Sequence, residues 1–194
     1  MLISLFKDLD MVTSEAFWNG MAEKYARQPI KDVHAYNQTM DRTKSYLSET
    51  DRVLEVGCGT IMIGIAEGKA RDQGVGNVRF VRGTVADHVG RDGPFDAVLA
   101  FNFLHLHEDL PAALRQLHGL LKPGGLFISK TVCIADKWVW RVMIPMMQAF
   151  GKAPYVTVLS VSKLEEHVSD AGFKIIETGD YPTRTSRFIV ARKV

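Results

Sequence analysis

Cysteine is scarce in this 194-residue chain: Cys58 and Cys133 are the whole complement. They have no metal-ligand spacing and form no disulfide framework, so a reducing, cytoplasmic setting is expected. An excess of one charge is missing too. The 24 basic and 22 acidic side chains nearly cancel, which leaves no electrostatic footprint for nucleic acid. Long apolar runs are absent. The opening Met1-Leu2-Ile3-Ser4-Leu5-Phe6 soon meets Lys7, Asp8 and Asp10, which suits neither a signal peptide nor a membrane span. Small-molecule partners are therefore expected, with neither nucleic acid nor membrane among them. No repeat, low-complexity tract or linker divides the chain, and its 46% hydrophobic content suits one soluble globular domain over 1–194.

What is present alternates between strand and helix signals. Ala16 to Arg27 places Phe17, Met21 and Tyr25 on one helical face, with Trp18 and Ala22 beside them. After Pro29, Val33 to Leu47 predicts a second helix that shows Tyr36, Met40 and Leu47 among polar residues. These helices form a cap over residues 1–50. The core begins with a strand at Val53 to Val56, followed by a helix from Ile61 to Gln73 and a strand at Asn77 to Arg82. Phe95 to Phe101 reads as a buried strand, and Asp109 to Leu121 as a helix with Pro111 in its first turn. Lys122-Pro123-Gly124-Gly125 turns into a strand at Leu126 to Lys130.

Residues 136–160 form an apolar insertion broken by Pro145, which reads either as a kinked core helix or as the flexible wall of a substrate pocket. Ser162 to Ala171 predicts a last helix. Phe173 to Thr178 and Ser186 to Ala191 are joined by a connection too short for a helical crossover, so they pair antiparallel. The fold class expected is α/β: a Rossmann-like, doubly wound, mostly parallel sheet with an antiparallel C-terminal strand and added N-terminal helices.

The richest stretch is Val53-Leu54-Glu55-Val56-Gly57-Cys58-Gly59-Thr60, a strand that runs into a glycine turn. Such a turn lets backbone amides approach a ligand at the carboxyl end of a sheet. The third glycine of a dinucleotide fingerprint is missing, as is the lysine of a triphosphate loop. Glu55 would repel phosphate, but its carboxylate can accept hydrogen bonds from an ammonium group. That chemistry points to a zwitterionic amino-acid tail.

The same stretch resembles the first motif of class I S-adenosylmethionine-dependent methyltransferases. Phe95-Asp96-Ala97-Val98-Leu99-Ala100-Phe101-Asn102-Phe103-Leu104-His105 is similar to that family's fourth-strand motif. Leu120-Leu121-Lys122-Pro123-Gly124-Gly125-Leu126-Phe127 is similar to its turn into the fifth strand, and the closing antiparallel pair also matches. The resemblance implies S-adenosylmethionine as cofactor, with Glu55, Gly57, Cys58, Gly59 and Thr60 about its methionine part. Family members carry an acidic residue in a Gly-Asp pair after the third strand. Here Gly83 is followed by Thr84, which passes the adenine contact to backbone amides or to Asp87. Phe101 and Asn102 complete the implied cofactor set.

One departure is larger. After Thr60 the family continues with a helix, a second strand and a carboxylate for the ribose, about 20 residues beyond the glycines. Here Ile61 to Ala70 resembles the helix that normally follows that strand. Either a stretch has been left out of the sequence, the preferred reading, or the crossover is lost.

The implied reaction is methyl transfer to a small-molecule acceptor by in-line displacement, in which alignment and exclusion of water are the main tasks. His105, with His107 near it beyond the fourth strand, is the candidate base. Cys58 reads as a small apolar filler in the turn rather than a nucleophile. The alternative is a non-catalytic binding or scaffold protein that keeps the fold.

Overall fold

The computed structural model describes residues 17, 20, 21, 24, 27–57, 60–81, 83–85, 93–149, 153–181, 183 and 185–194. Trp18, Ala22, Tyr25, Cys58, Gly59 and Asp87 lie outside the described residues.

The sheet is built from five strands: β1 (Val53–Val56), β2 (Phe95–Phe101), β3 (Leu121–Val132), β4 (Phe173–Asp180) and β5 (Ser186–Lys193). Their spatial order is β1-β2-β3-β5-β4. β1, β2 and β3 run parallel, and β5 lies antiparallel between β3 and β4. Around the sheet are α1 (Val33–Lys44), α2 (Thr60–Asp72), α3 (Leu110–Leu120), α4 (Trp138–Ala149) and α5 (Val161–Asp170). This is the doubly wound α/β sheet with an antiparallel C-terminal strand that the strand and helix alternation predicts.

Burial on both faces explains why the central strands are apolar runs rather than alternations. On one face Val98, Phe127, Ile189 and Ala191 pack with Leu114 and Leu117 of α3 and Leu164 and Val168 of α5. On the other, Leu99, Ile128, Phe188 and Val190 meet Tyr46 and Leu47 beyond the end of α1. Local chemistry sets the helix ends. Asp109 caps α3 by accepting the Ala112 N–H at 2.9 Å, and Ser160 caps α5 by accepting the Lys163 N–H. Lys193 Nζ donates to the carbonyls of His118 and Leu121, at 2.8 Å each, at the carboxyl end of α3. A cation there satisfies acceptors the helix itself leaves open.

Several expectations are corrected. The buried face of α1 is Ala35, Thr39 and Thr43, whereas Tyr36 is exposed. The threonines enter the interior because their hydroxyls donate to Ala35 O and Thr39 O within the helix, at 2.8 Å each. α1 is tied to β4 by Arg42, whose guanidinium pairs with Glu177, and by Tyr46 Oη, which donates to Glu177 Oε2 at 2.6 Å. The Lys122–Gly125 turn lies inside β3 as an irregularity. Phe95 pairs Leu121 but Ala97 pairs Leu126, and Gly124 adopts φ 75°.

The predicted strand at Asn77 to Arg82 is not a strand: residues 77–81 have no ladder partner. The physical reason lies at Thr60. Thr60 and Ile61 are consecutive residues of one helix, and no strand intervenes between β1 and α2. No crossover strand is found among the described residues, and there β1 is an edge strand. A β-competent segment without a neighbour to pair with gains no ladder bonds.

Candidate active site

Parallel pairing brings three strand ends together. Val56 pairs Ala100, and Phe101 pairs Lys130, so the chain leaving β1 at Gly57 emerges beside the chain leaving β2. Crevices at such carboxyl ends are where α/β sheets bind ligands.

Gly57 sits at φ 90°, and an added Cβ would come within 2.6 Å of Phe103 Cδ2. Only glycine meets both demands, a left-handed backbone and contact with a ring. Phe103 in turn meets His107 edge-on, with ring centroids 4.2 Å apart. One aromatic ring therefore joins the glycine turn to the segment after β2. Phe103 lies within the motif read from the sequence, but nothing in residue spacing marks its ring as the neighbour of Gly57. Asn102 takes a positive φ of 53° and its backbone N–H donates to Lys130 O at 2.8 Å. Asparagine tolerates that conformation better than most residues, and the bond locks the exit of β2 onto the end of β3.

Glu55 stands two residues before Gly57. Its side chain is exposed, and partial desolvation raises its carboxyl pKa. Among the described residues no group pairs with it. An exposed carboxylate with no partner among the described residues, next to a turn with no side chain, suits the ammonium group of a methionine tail, so these residues are compatible with the implied cofactor. Thr60 opens α2, Gly83 and Thr84 are exposed in the segment after residues 77–81, and Phe101 is half-buried at the end of β2.

His105 lies in a 3-10 turn, Leu104–Leu106, and is 9% exposed. Its Nδ1 is buried with no hydrogen-bond partner among the described residues. Burial, and then the neighbouring His107, push its pKa down to about 4, so the ring is neutral near neutral pH. Residues 104–107 are held by Thr157, whose N–H donates to His105 O and whose Oγ1 donates to His107 O, both at 2.7 Å. At the end of β3, Lys130 Nζ donates to Thr39 Oγ1 at 3.2 Å, and burial lowers its pKa against the opposing pull of Asp32. Residue patterning does not reach Lys130, whose place follows only from the docking of α1.

The His105 shift sets a stability trend. The unfolded ring takes up its proton near pH 6.5 and the folded ring only near 4, so the folded form is penalised as pH falls through that window. Urea unfolding midpoints should decline between pH 6.5 and 4. The decline should be smaller in His105→Gln, which keeps a polar side chain without the titration.

Known proteins resemble this chain in sequence and fold. A family profile described as a methyltransferase domain matches residues 21–178. The malonyl-[acyl-carrier protein] O-methyltransferase of Magnetococcus marinus is 25% identical over 190 residues, 86% of this chain and 69% of that protein. A mitochondrial arginine-hydroxylase of Danio rerio, NDUFAF5, is 32% identical over 90 residues. That match spans 44% of this chain and only 28% of the relative's length. Among solved structures, the Burkholderia thailandensis 1,6-didemethyltoxoflavin-N1-methyltransferase with bound 1,6-didemethyltoxoflavin and S-adenosylhomocysteine superposes with a TM-score of 0.69. It is 17% identical, covering 95% of this chain and 88% of that one. The profile spans most of the sheet and the glycine turn, and the chain belongs to the methyltransferase-domain family, of the class that uses S-adenosylmethionine.

Proposed function

We propose that the protein methylates a small-molecule acceptor, and that its cofactor lies across the ends of β1 and β2. The observation that carries this reading is Glu55, a carboxylate with no cationic partner among the described residues, beside a turn that only glycine can form. Glu55 holds the ammonium group, and the backbone of Gly57, Cys58, Gly59 and Thr60 surrounds the methionine part. Gly83, Thr84 and Asp87 serve the adenine, and Phe101 and Asn102 the face toward the acceptor. When bound, S-adenosylmethionine supplies a methyl carbon activated by a sulfonium, with a neutral thioether as leaving group.

The chain's own work is alignment and exclusion of water. In this reading His105 is the residue that accepts a proton from the acceptor. With a pKa near 4 it is a weak base, which matches acceptors that ionise readily or need no proton removed. Two names support a small acceptor: a relative is a malonyl-[acyl-carrier protein] O-methyltransferase, and a structural neighbour is a 1,6-didemethyltoxoflavin-N1-methyltransferase.

Calorimetry with S-adenosylhomocysteine is the test. One-to-one binding with micromolar affinity is expected, followed by label transfer to at least one of a set of oxygen, nitrogen, sulfur and carbon nucleophiles. Absence of binding would sink the reading. Binding without transfer to any acceptor would favour a non-catalytic protein on this fold, a second reading motivated by the absent ribose carboxylate.

A further inference from the structure

Among the described residues no carboxylate pairs with Lys130, a half-buried cation near the carboxyl end of β3. Its Nζ donates to Thr39 Oγ1 at 3.2 Å, and that hydroxyl in turn donates to Ala35 O. An ammonium group has three protons to donate, and among the described residues Thr39 is the one acceptor it meets. Asp32 acts on Lys130 only through its field. The Asp32 Oδ1 accepts the Ala35 N–H at 2.9 Å as the N-cap of α1. Other cations of the fold are matched by acids: Arg42 by Glu177, Lys122 by Asp96, and Arg187 by Glu165 and Asp180.

Strand register sets Lys130 on the same face of the sheet as Glu55. Glu55 pairs Leu99, Leu99 pairs Ile128, and Phe101 pairs Lys130. Side chains two residues apart on a strand point to one side, so Glu55, Phe101 and Lys130 share the side on which α1 docks. At a strand spacing of about 4.8 Å and a rise of about 3.3 Å per residue, the Cα atoms of Glu55 and Lys130 lie about 12 Å apart. An acid and a base thus stand on one face, with the end of β2 between them.

Their charges call for opposite groups. Glu55 suits the ammonium group of the cofactor, whose sulfonium then brings a second positive charge to the face that holds Lys130. The two cations repel unless an anion lies between them. A neutral acceptor would leave the ammonium partly desolvated and short of acceptors. A carboxylate completes its hydrogen bonds and offsets both charges. One ammonium group, with the Asp32 field opposing further negative charge, matches a single carboxylate better than a phosphate dianion.

We propose that Lys130 is an acceptor-binding residue and that the methyl acceptor is a small molecule bearing a carboxylate. The proposal deepens the methyl-transfer reading and rests on it, whereas the anion site itself can be measured separately.

The test follows the Lys130 ε-methylene signal by NMR in the full chain labelled with carbon-13 lysine, the signal being identified by its loss in Lys130→Met. Benzoate is the probe, with benzamide and inorganic phosphate beside it, on the ligand-free protein and on protein mixed with excess S-adenosylhomocysteine. Benzoate should move the signal saturably and benzamide should not. Read from backbone amide shifts, the affinity of Lys130→Met for benzoate should fall about tenfold or more, as expected for one charged hydrogen-bonded contact. Lys130→Arg should keep most of that affinity, and Lys163→Met, which alters an exposed cation of α5, should keep all of it. A urea midpoint of Lys130→Met at or above that of wild type shows that the variant folds. Benzamide acting like benzoate, phosphate binding more tightly than benzoate, or wild-type benzoate affinity in Lys130→Met would each overturn the proposal. Uptake of S-adenosylhomocysteine with no response to benzoate would overturn it while leaving methyl transfer standing. Benzoate binding that depends on Lys130, in a protein that does not take up S-adenosylhomocysteine, would uphold the anion site and overturn the methyl-transfer reading.

Discussion

Gly57→Ala should eliminate S-adenosylhomocysteine binding measurable by calorimetry and destabilise the protein by roughly 2–5 kcal/mol, the sum of a strained backbone and an overpacked contact. The native φ of 90° is unfavourable for any residue with a Cβ. The new methyl would also lie 2.6 Å from Phe103 Cδ2 and 3.1 Å from its Cβ and Cγ. Phe103 has little room to yield, because its ring packs edge-on to His107 and against the core. Either the turn or the ring must shift, and both border the crevice. The double variant G57A/F103A removes the clash but keeps the backbone strain, so it should recover part of the stability. Cofactor affinity of G57A within twofold of wild type would mean that the turn does not hold the ligand.

Glu55→Gln should separate binding from folding. The substitution keeps shape and removes charge. Charge-assisted hydrogen bonds contribute about 1.5–3 kcal/mol, so affinity for S-adenosylhomocysteine should fall by about ten- to a hundredfold. Stability without ligand should hold or rise, because a desolvated, unpaired carboxylate is lost. The raised pKa gives the sign of the pH effect. Folding favours the protonated carboxyl, so Glu55 adds stability to the ligand-free protein as pH falls through its folded-state pKa. Ligand affinity moves the other way, since protonation removes the partner of the ammonium group. Isothermal titration across that range should show affinity falling at low pH in wild type and a flatter profile in E55Q. A pH profile unchanged by the substitution would remove Glu55 from the site.

Glu55 and Gly57 are legible from residue order alone, since they belong to a strand-turn pattern with its own chemistry. Phe103 and Lys130 are not. Phe103 matters because the pairing of β1 with β2 sets its ring against Gly57, 46 residues earlier in a chain whose spacing does not encode that contact. Lys130 matters because α1 docks with Thr39 inward. Hydrophobic periodicity does not reveal the buried face of α1, since threonine counts as polar in a periodicity while its hydroxyl can be satisfied within its own helix. In the cofactor region, Cys58, Gly59 and Asp87 lie outside the described residues, and their roles stand on the resemblance.

Residue order alone specifies the apolar strands β2 and β3, the capped helices α3 and α5, the antiparallel closing pair and the glycine turn, because each depends on short-range periodicity, capping or backbone freedom. Tertiary structure decided the rest. It left β1 an edge and residues 77–81 without a partner, because a ladder needs a neighbour supplied from elsewhere in the chain. It left Trp138, Val142 and Met146 of α4 exposed, which overturns the kinked core helix, because hydrophobic spacing shows that a face exists but not what lies against it. It also set the ionisation of Glu55 and His105, because desolvation depends on how much of the fold surrounds a group rather than on the residues beside it in sequence.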